Sequence, residues 1–120
     1  MSKKPIVLVV EDESLLRANA VEMIEAAGFQ VVEAANADEA IEILEARNDI
    51  RVVFTDIQMP GAMDGLKLAQ AVRGRWPPIE IITTSGQLSI SPDQLPERGR
   101  FLPKPYSPAQ IAGVISELIC

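Results

Sequence analysis

Four short stretches of this 120-residue chain hold side chains able to do chemistry together: Glu11-Asp12, Asp56, Thr84-Ser85 and Lys104. Carboxylates about 4 Å apart repel by roughly 4 kcal/mol at an effective dielectric of about 20, so gathering them calls for a cation. The chain has no histidine, and its one cysteine, Cys120, is the last residue. Every ligand on offer is therefore an oxygen, which suits Mg2+ first and Mn2+ or Ca2+ next. A cation so held could neutralise a phosphoryl group passed to a carboxylate nucleophile. Lys104 would add a second positive charge, and Ser85 or Thr84 a hydroxyl donor. Taken singly, each residue has a plainer reading. An Asp where an apolar run stops, as in Phe54-Thr55-Asp56, more often caps the next helix or lies solvated in a loop. The choice depends on whether the surrounding elements bring these residues to one place.

Ile6 to Val10 is a continuous apolar run, the pattern of a strand buried on both faces, and it stops at Glu11-Asp12-Glu13. Ser14 to Ala27 follows as a helix, with Gly28 as its stop. Phe29 to Ala34 is a second strand, and Glu33 points to an end or edge position. Asn36 with Glu39 three residues on forms a capping box, opening a helix whose stripe is Ala40, Ile41, Ile43 and Leu44. Ile50 to Thr55 is the third strand and delivers Asp56; Pro60 and Gly61 then forbid a regular continuation. Gly65 to Arg75 is a helix stopped by Trp76-Pro77-Pro78. Ile79 to Thr84 is a fourth strand, and Phe101-Leu102-Pro103 a short fifth whose proline suits an end or edge. Ser107-Pro108 supplies a cap and first-turn proline for the last helix, which buries Ile111, Val114, Ile115 and Leu118. Between Gln87 and Arg100, Pro92, Pro96 and Gly99 leave room for little more than a turn of helix near Ser91 to Leu95.

Strand and helix alternate almost strictly, which predicts an α/β domain with a parallel sheet and helices on both faces. Ligands of such sheets sit at the carboxyl ends of the strands, near the switch in strand order. Glu11 and Asp12, Asp56, Thr84 and Ser85, and Lys104 all fall at those ends. Their joint arrival favours a site over a set of unrelated caps.

Composition narrows the classes further. With 48% hydrophobic residues the chain can build one core, so residues 1–120 are expected to form a single domain. A net charge of -6 argues against nucleic acid or an anionic membrane as partner. The absence of histidine excludes Ser-His-Asp hydrolysis, histidine zinc sites and phosphohistidine chemistry within the chain. Behind Met1 to Pro5 lies a five-residue apolar run, far short of a signal peptide or a membrane span. A lone cysteine fits a reducing compartment, so a cytoplasmic protein is expected.

In its motifs the chain resembles the receiver domains of two-component response regulators, CheY-like proteins of flavodoxin-like (βα)5 fold with strand order 2-1-3-4-5. The resemblance covers essentially the whole chain. It rests on Glu11-Asp12 after strand one, Asp56-Ile57-Gln58-Met59-Pro60 with Asp64-Gly65 after strand three, Ser85-Gly86 after strand four, and Lys104-Pro105 after strand five. It implies that Asp56 accepts a phosphoryl group from a histidine kinase or histidine phosphotransfer protein. Glu11, Asp12, Asp56 and the backbone carbonyl of Gln58 would bind Mg2+. Ser85 would be the switch hydroxyl, with Thr84 as runner-up, and Lys104 the phosphate-binding lysine. Lys104-Pro105 would be the bond the family often holds cis, and Phe101 the rotating aromatic. Such a domain is no enzyme in the ordinary sense: it is a phosphoacceptor that assists its own phosphorylation and dephosphorylation.

Two departures from the family pattern stand out. Three residues, Gly61-Ala62-Met63, separate Pro60 from Asp64 where two are usual, and the fourth helix is expected to be short, displaced or missing. No output domain follows the last helix, which leads to the expectation of a free-standing receiver. The main rival is a pseudo-receiver, a protein-interaction module independent of phosphorylation. A flavin binder of the same fold would have phosphate repelled by Glu11-Asp12-Glu13. An Asp-nucleophile phosphohydrolase would place a second Asp where this chain has Gln58.

Overall fold

The structure is a computed structural model that describes residues 4–59, 63–86 and 91–119. Five parallel strands form one sheet in the order β2-β1-β3-β4-β5. They are β1 (Ile6–Val10), β2 (Gln30–Ala34), β3 (Ile50–Asp56), β4 (Glu80–Ser85) and β5 (Arg100–Pro103). The chain runs outward from β1 to β2, crosses back over β1 to β3, and continues to β4 and β5. The order therefore reverses between β1 and β3, and their carboxyl ends flank the crevice where such sheets bind ligands.

Among the described residues four helices cover the sheet: α1 (Ser14–Ala26), α2 (Ala37–Ala46), α3 (Gly65–Arg75) and α4 (Pro108–Ile119). Period-two alternation sends neighbouring strand residues to opposite layers. Leu8, Val10, Val53 and Ile81 pack with Leu44 of α2 and Leu68 and Val72 of α3. Val7, Val9, Phe54 and Ile82 pack with Ile24 of α1 and Ile111 and Ile115 of α4. Every residue of β1 is buried, as its unbroken apolar run requires, whereas the edge strand β2 leaves Glu33 exposed.

The helix starts follow the expected side chains. Glu39 N donates to Asn36 Oδ1 at 2.8 Å, and Glu39 Oε1 accepts from Ala35 N at 2.9 Å. Gln110 N donates to Ser107 Oγ at 3.1 Å, while Gln110 Oε1 accepts from Ser107 N at 2.8 Å. Gly28, at φ 99°, takes the left-handed conformation that ends α1. Boundaries shift by a residue: β3 extends through Asp56 and β4 through Ser85, because the ladder continues past the apolar runs.

Between β4 and β5 the described residues hold one 3-10 turn, Pro92–Gln94, in place of a fourth long helix. This segment is tied to α3. Arg73 Nε donates to Glu97 O at 2.8 Å, Arg73 Nη1 to Pro77 O and Ile79 O at 2.6 and 2.9 Å, and Gln70 Nε2 to Gln94 O at 3.3 Å. Arg98 Nη2 reaches Pro77 O at 2.6 Å. Pro60, Gly61, Ala62 and Gln87, which include most of the lengthened loop, lie outside the described residues.

Candidate functional site

Asp56 is the last residue of β3 and is 6% exposed; Glu11, one residue beyond β1, is equally buried. The backbone ladder runs on past the strand ends and fixes their approach. Glu11 N donates to Ala34 O at 3.1 Å, Ile57 N to Thr84 O at 2.9 Å, and Lys104 N to Ser85 O at 2.9 Å. The Lys104 ammonium enters between the two acids, 3.2 Å from Glu11 Oε1 and 3.4 Å from Asp56 Oδ2. The Lys104-Pro105 peptide bond is cis. Glu13 N donates to Glu11 Oε2 at 3.2 Å, and Gln58 N to Asp56 Oδ1 at 3.4 Å.

Asp12 is exposed at the rim and completes the acidic cluster. Glu11, Asp12 and Asp56 each offer a carboxylate oxygen, all within 4.8 Å of one another. Burial, followed by the charge of Asp56, pushes the Glu11 carboxyl above its ordinary range; the Glu13 N–H and Lys104 offset part of this. Burial alone would lower Lys104, but Asp56 and Glu11 together outweigh it and hold the ammonium protonated. Three carboxylates against one ammonium leave two negative charges. An oxygen-only donor set with that imbalance fits a divalent hard cation.

Both hydroxyl candidates on β4 are buried. Thr84 stands opposite Asp56 in the β3–β4 register, and among the described residues its Oγ1 has no hydrogen-bond partner. Ser85 ends β4 one residue further on. Phe101 lies half-buried on β5 opposite Thr83. Met59 packs into the α2–α3 core layer, as its apolar character suggests. Tyr106 packs against the other core layer, that of α1 and α4. Its ring meets Phe54 edge-on at 5.5 Å, and burial, then the charges of Glu11 and Asp56, pushes its hydroxyl up to about 12.

Two supporting residues escape a reading of chemistry-bearing types alone. Arg17 of α1 donates through Nη1 to Glu11 O at 2.8 Å and through Nε to Glu33 Oε1 at 3.2 Å, locking the turn that carries the acidic pair. Gly65 opens α3, and its N–H donates to Ile57 O at 2.9 Å. A Cβ there would lie 2.0 Å from Asp56 O. The helix can approach the Asp56 peptide only because residue 65 has no side chain. Asp64 caps the same helix, its Oδ1 accepting from Lys67 N at 2.9 Å.

A family model for the response regulator receiver domain matches residues 7–116. The chain belongs to that family. This receiver is 36% identical over 123 aligned positions to the sensor kinase CckA of Brucella abortus, in a match covering 99% of the chain and 13% of that protein. It is 33% identical over 110 positions to the C4-dicarboxylate transport transcriptional regulatory protein DctD of Rhizobium meliloti, covering 89% of the chain and 24% of the regulator. The chain thus spans a quarter or less of the length of these curated relatives. Among solved structures, the receiver domain of the hybrid histidine kinase CckA superposes with a TM-score of 0.80 at 30% identity, covering 96% of this chain and 99% of that one. The chemotaxis protein CheY4 of Vibrio cholerae, at 23% identity, shares the fold with a TM-score of 0.86 over 98% of this chain and all of that one. The sheet order is that of the flavodoxin-like fold. As a receiver, the chain is a phosphoacceptor module of two-component signalling, and the reading as a phosphorylation-independent module is not favoured. Among the described residues no helix is long and apolar enough to cross a membrane.

Proposed function

We propose that Asp56 is the phosphoacceptor of this receiver and that Glu11, Asp12, Asp56 and the Gln58 backbone carbonyl hold Mg2+. The observation that carries this reading is the placement of Lys104 Nζ 3.2 Å from Glu11 and 3.4 Å from Asp56, a junction of three strand ends at one point. A carboxylate oxygen of Asp56 attacks phosphorus, the phosphorus–nitrogen bond to the donor histidine breaks, and the imidazole keeps the electron pair. A cation held by Glu11, Asp12, Asp56 and the Gln58 carbonyl would supply charge neutralisation for the phosphoryl group. Lys104 is already protonated and meets the same charge from the β5 side. Ser85 is the first choice of switch hydroxyl; Thr84 is second, supported by a buried hydroxyl that has no partner among the described residues.

Phosphorylation adds about -1.5 to -2 charges beside these donors. Each new charge-assisted hydrogen bond contributes about 1.5 to 3 kcal/mol. Two of them approach the roughly 5.5 kcal/mol that takes a two-state equilibrium from 1:99 to 99:1. The surface so switched includes Phe101 and the segment that Arg73 ties to α3. We take residues 1–120 as one cytoplasmic receiver unit. It draws phosphoryl groups from a histidine kinase or histidine phosphotransfer protein and assists its own phosphorylation and dephosphorylation.

Intact-mass measurement after incubation with acetyl phosphate and Mg2+ tests the assignment. The gain of one phosphoryl group is expected for the native chain and not for Asp56→Asn. A folded, Mg2+-binding protein that gains nothing would return the pseudo-receiver to first place.

A further inference from the structure

At the opposite edge of the sheet, where β3 and β4 begin and α2 and α3 end, a groove of about 710 Å³ opens to solvent. Its floor is apolar, built from Leu44, Ile50, Pro77, Pro78 and Ile79. Around it stand Arg47, Arg51, Arg75 and Trp76, with Glu45 the single acid among the lining residues. The lining residues carry +2, and Asp49, which pairs with Arg47 beside them, brings the patch to +1 on a chain whose net charge is -6.

Two of the three guanidiniums have structural employment. Arg75 Nη2 donates to Glu45 Oε2 at 2.7 Å while its guanidinium lies 4.4 Å from the Trp76 ring centre. Arg47 makes a two-pronged contact with Asp49, both distances 2.9 Å. Both also stand at helix carboxyl ends, where a cation is favoured without any ligand. Arg51 has neither excuse. It lies exposed on β3, between buried Ile50 and Val52, and makes no hydrogen bond or ion pair among the described residues.

We propose that this groove docks a short acidic peptide segment of a partner protein. A carboxylate pairs with Arg51, and a neighbouring apolar side chain covers the Leu44–Pro78–Ile79 floor. Charge complementarity selects the sign of the partner, because an acidic chain repels acidic segments everywhere except over such an island. The volume and the apolar floor select a peptide over a small inorganic anion, which would meet the arginines and leave the floor in water. The site lies on the other end of the strands from Asp56, so it stands or falls independently of the phosphoacceptor assignment.

Trp76 is the only tryptophan in the chain and lines the groove, which makes its fluorescence a built-in reporter. The experiment selects displayed random seven-residue peptides on the whole chain, then titrates the synthetic winner while recording Trp76 emission. Acidic sequences carrying an apolar residue should be enriched and should shift the emission saturably. Affinity should fall about ten-fold in Arg51→Ala and further in Arg51→Glu. Phosphorylation by acetyl phosphate should stay unchanged in both variants, which also shows that they fold. No enrichment, a neutral or basic consensus, or binding indifferent to Arg51 would overturn the proposal. Displacement of the peptide by inorganic phosphate at equal concentration would also overturn it, in favour of a plain anion site.

Discussion

At the carboxyl ends of the strands three carboxylates cluster, two of them paired with Lys104; at the amino ends of β3 and β4, Arg47, Arg51, Arg75 and Trp76 line one groove. The same parallel sheet produces both. Each crossover helix starts at the carboxyl edge and finishes at the amino edge, so α1 and α3 bring partial positive charge to the acids. The ends of α2 and α3 bring partial negative charge to the arginines. The difference is burial. Glu11 and Asp56 are each 6% exposed, whereas the Arg75–Glu45 pair has both side chains half exposed. The fold sets the sign of charge at each edge, and burial sets how strongly a single change is felt. Substitutions at the acidic edge should therefore be costly and responsive to cation, and those at the basic edge mild.

The severest break in this comparison should come from a residue with no charge at all. In Gly65→Ala the new methyl would sit 2.0 Å from Asp56 O, and neither the β3 end nor the first turn of α3 is free to withdraw. A loss of about 3 kcal/mol or more is expected in urea denaturation. Phosphorylation should fall as well, because any relaxation displaces Asp56. An unchanged midpoint would show that the close approach of helix and strand is not essential.

Next in size is Lys104→Met, which leaves two buried acids without their ammonium. Breaking a buried pairing costs about 3 to 5 kcal/mol, and the 21% exposure of the Lys104 side chain puts the expected loss in cation-free buffer at the low end of that range. Mg2+ should narrow the gap to the native chain, since a site that has lost its ammonium is more negative and gains more from a bound divalent cation. Thermal melts with and without Mg2+ decide; equal losses in both would separate Lys104 from the cation's charge balance.

Much of the carboxyl edge was legible in the sequence, and much of the basic edge was not. Asp56 and Lys104 declare themselves because an apolar run stops on a charge, a signal contained within a few adjacent residues. Pro92, Pro96 and Gly99 likewise foretold the single 3-10 turn. What holds that segment was invisible. Arg73 binds backbone carbonyls through Nε and Nη1, one of them 24 residues away, and a carbonyl leaves no mark on composition. Gly65 was visible as a motif residue, but its reason depends on a distance to Asp56 that no pattern encodes. The Thr84–Ser85 ambiguity is of another kind: three hydroxyl residues in a row at a strand end give periodicity nothing to count. Arg51 reads as an ordinary exposed position of a strand, and only the shape of the groove gives it meaning.

A smaller effect should appear in the pH dependence of the acidic edge. Burial and Asp56 raise Glu11 in the folded chain above the ordinary value of 4.5, so the folded state holds that proton more tightly than the unfolded state does. The stability linked to it is fully present below the ordinary value and is lost as pH rises through the folded one. Glu11→Gln should therefore flatten the cation-free stability profile from the ordinary value of 4.5 upward. It should also weaken Mg2+ binding. A mutant profile parallel to the native one would remove Glu11 as the source of the slope.

The mildest change should be Arg75→Ala, at the other edge. The substitution removes the 2.7 Å contact to Glu45 and the guanidinium over Trp76, which on a contact list looks like a heavy loss. Both partners are half exposed, however, so water replaces the hydrogen bond and screens the charge. An exposed pair of this kind contributes about 0.2 to 1 kcal/mol, and an exposed cation–π contact about 0.5 to 1. Part of each is offset by the side-chain freedom regained, so a total loss under about 1 kcal/mol is expected, shrinking as salt is added. Trp76 emission should change even so, because the ring loses its cover. A loss as large as that of Lys104→Met would mean that the amino edge is as tightly bound to the fold as the phosphoacceptor edge, and burial would no longer explain the contrast between them.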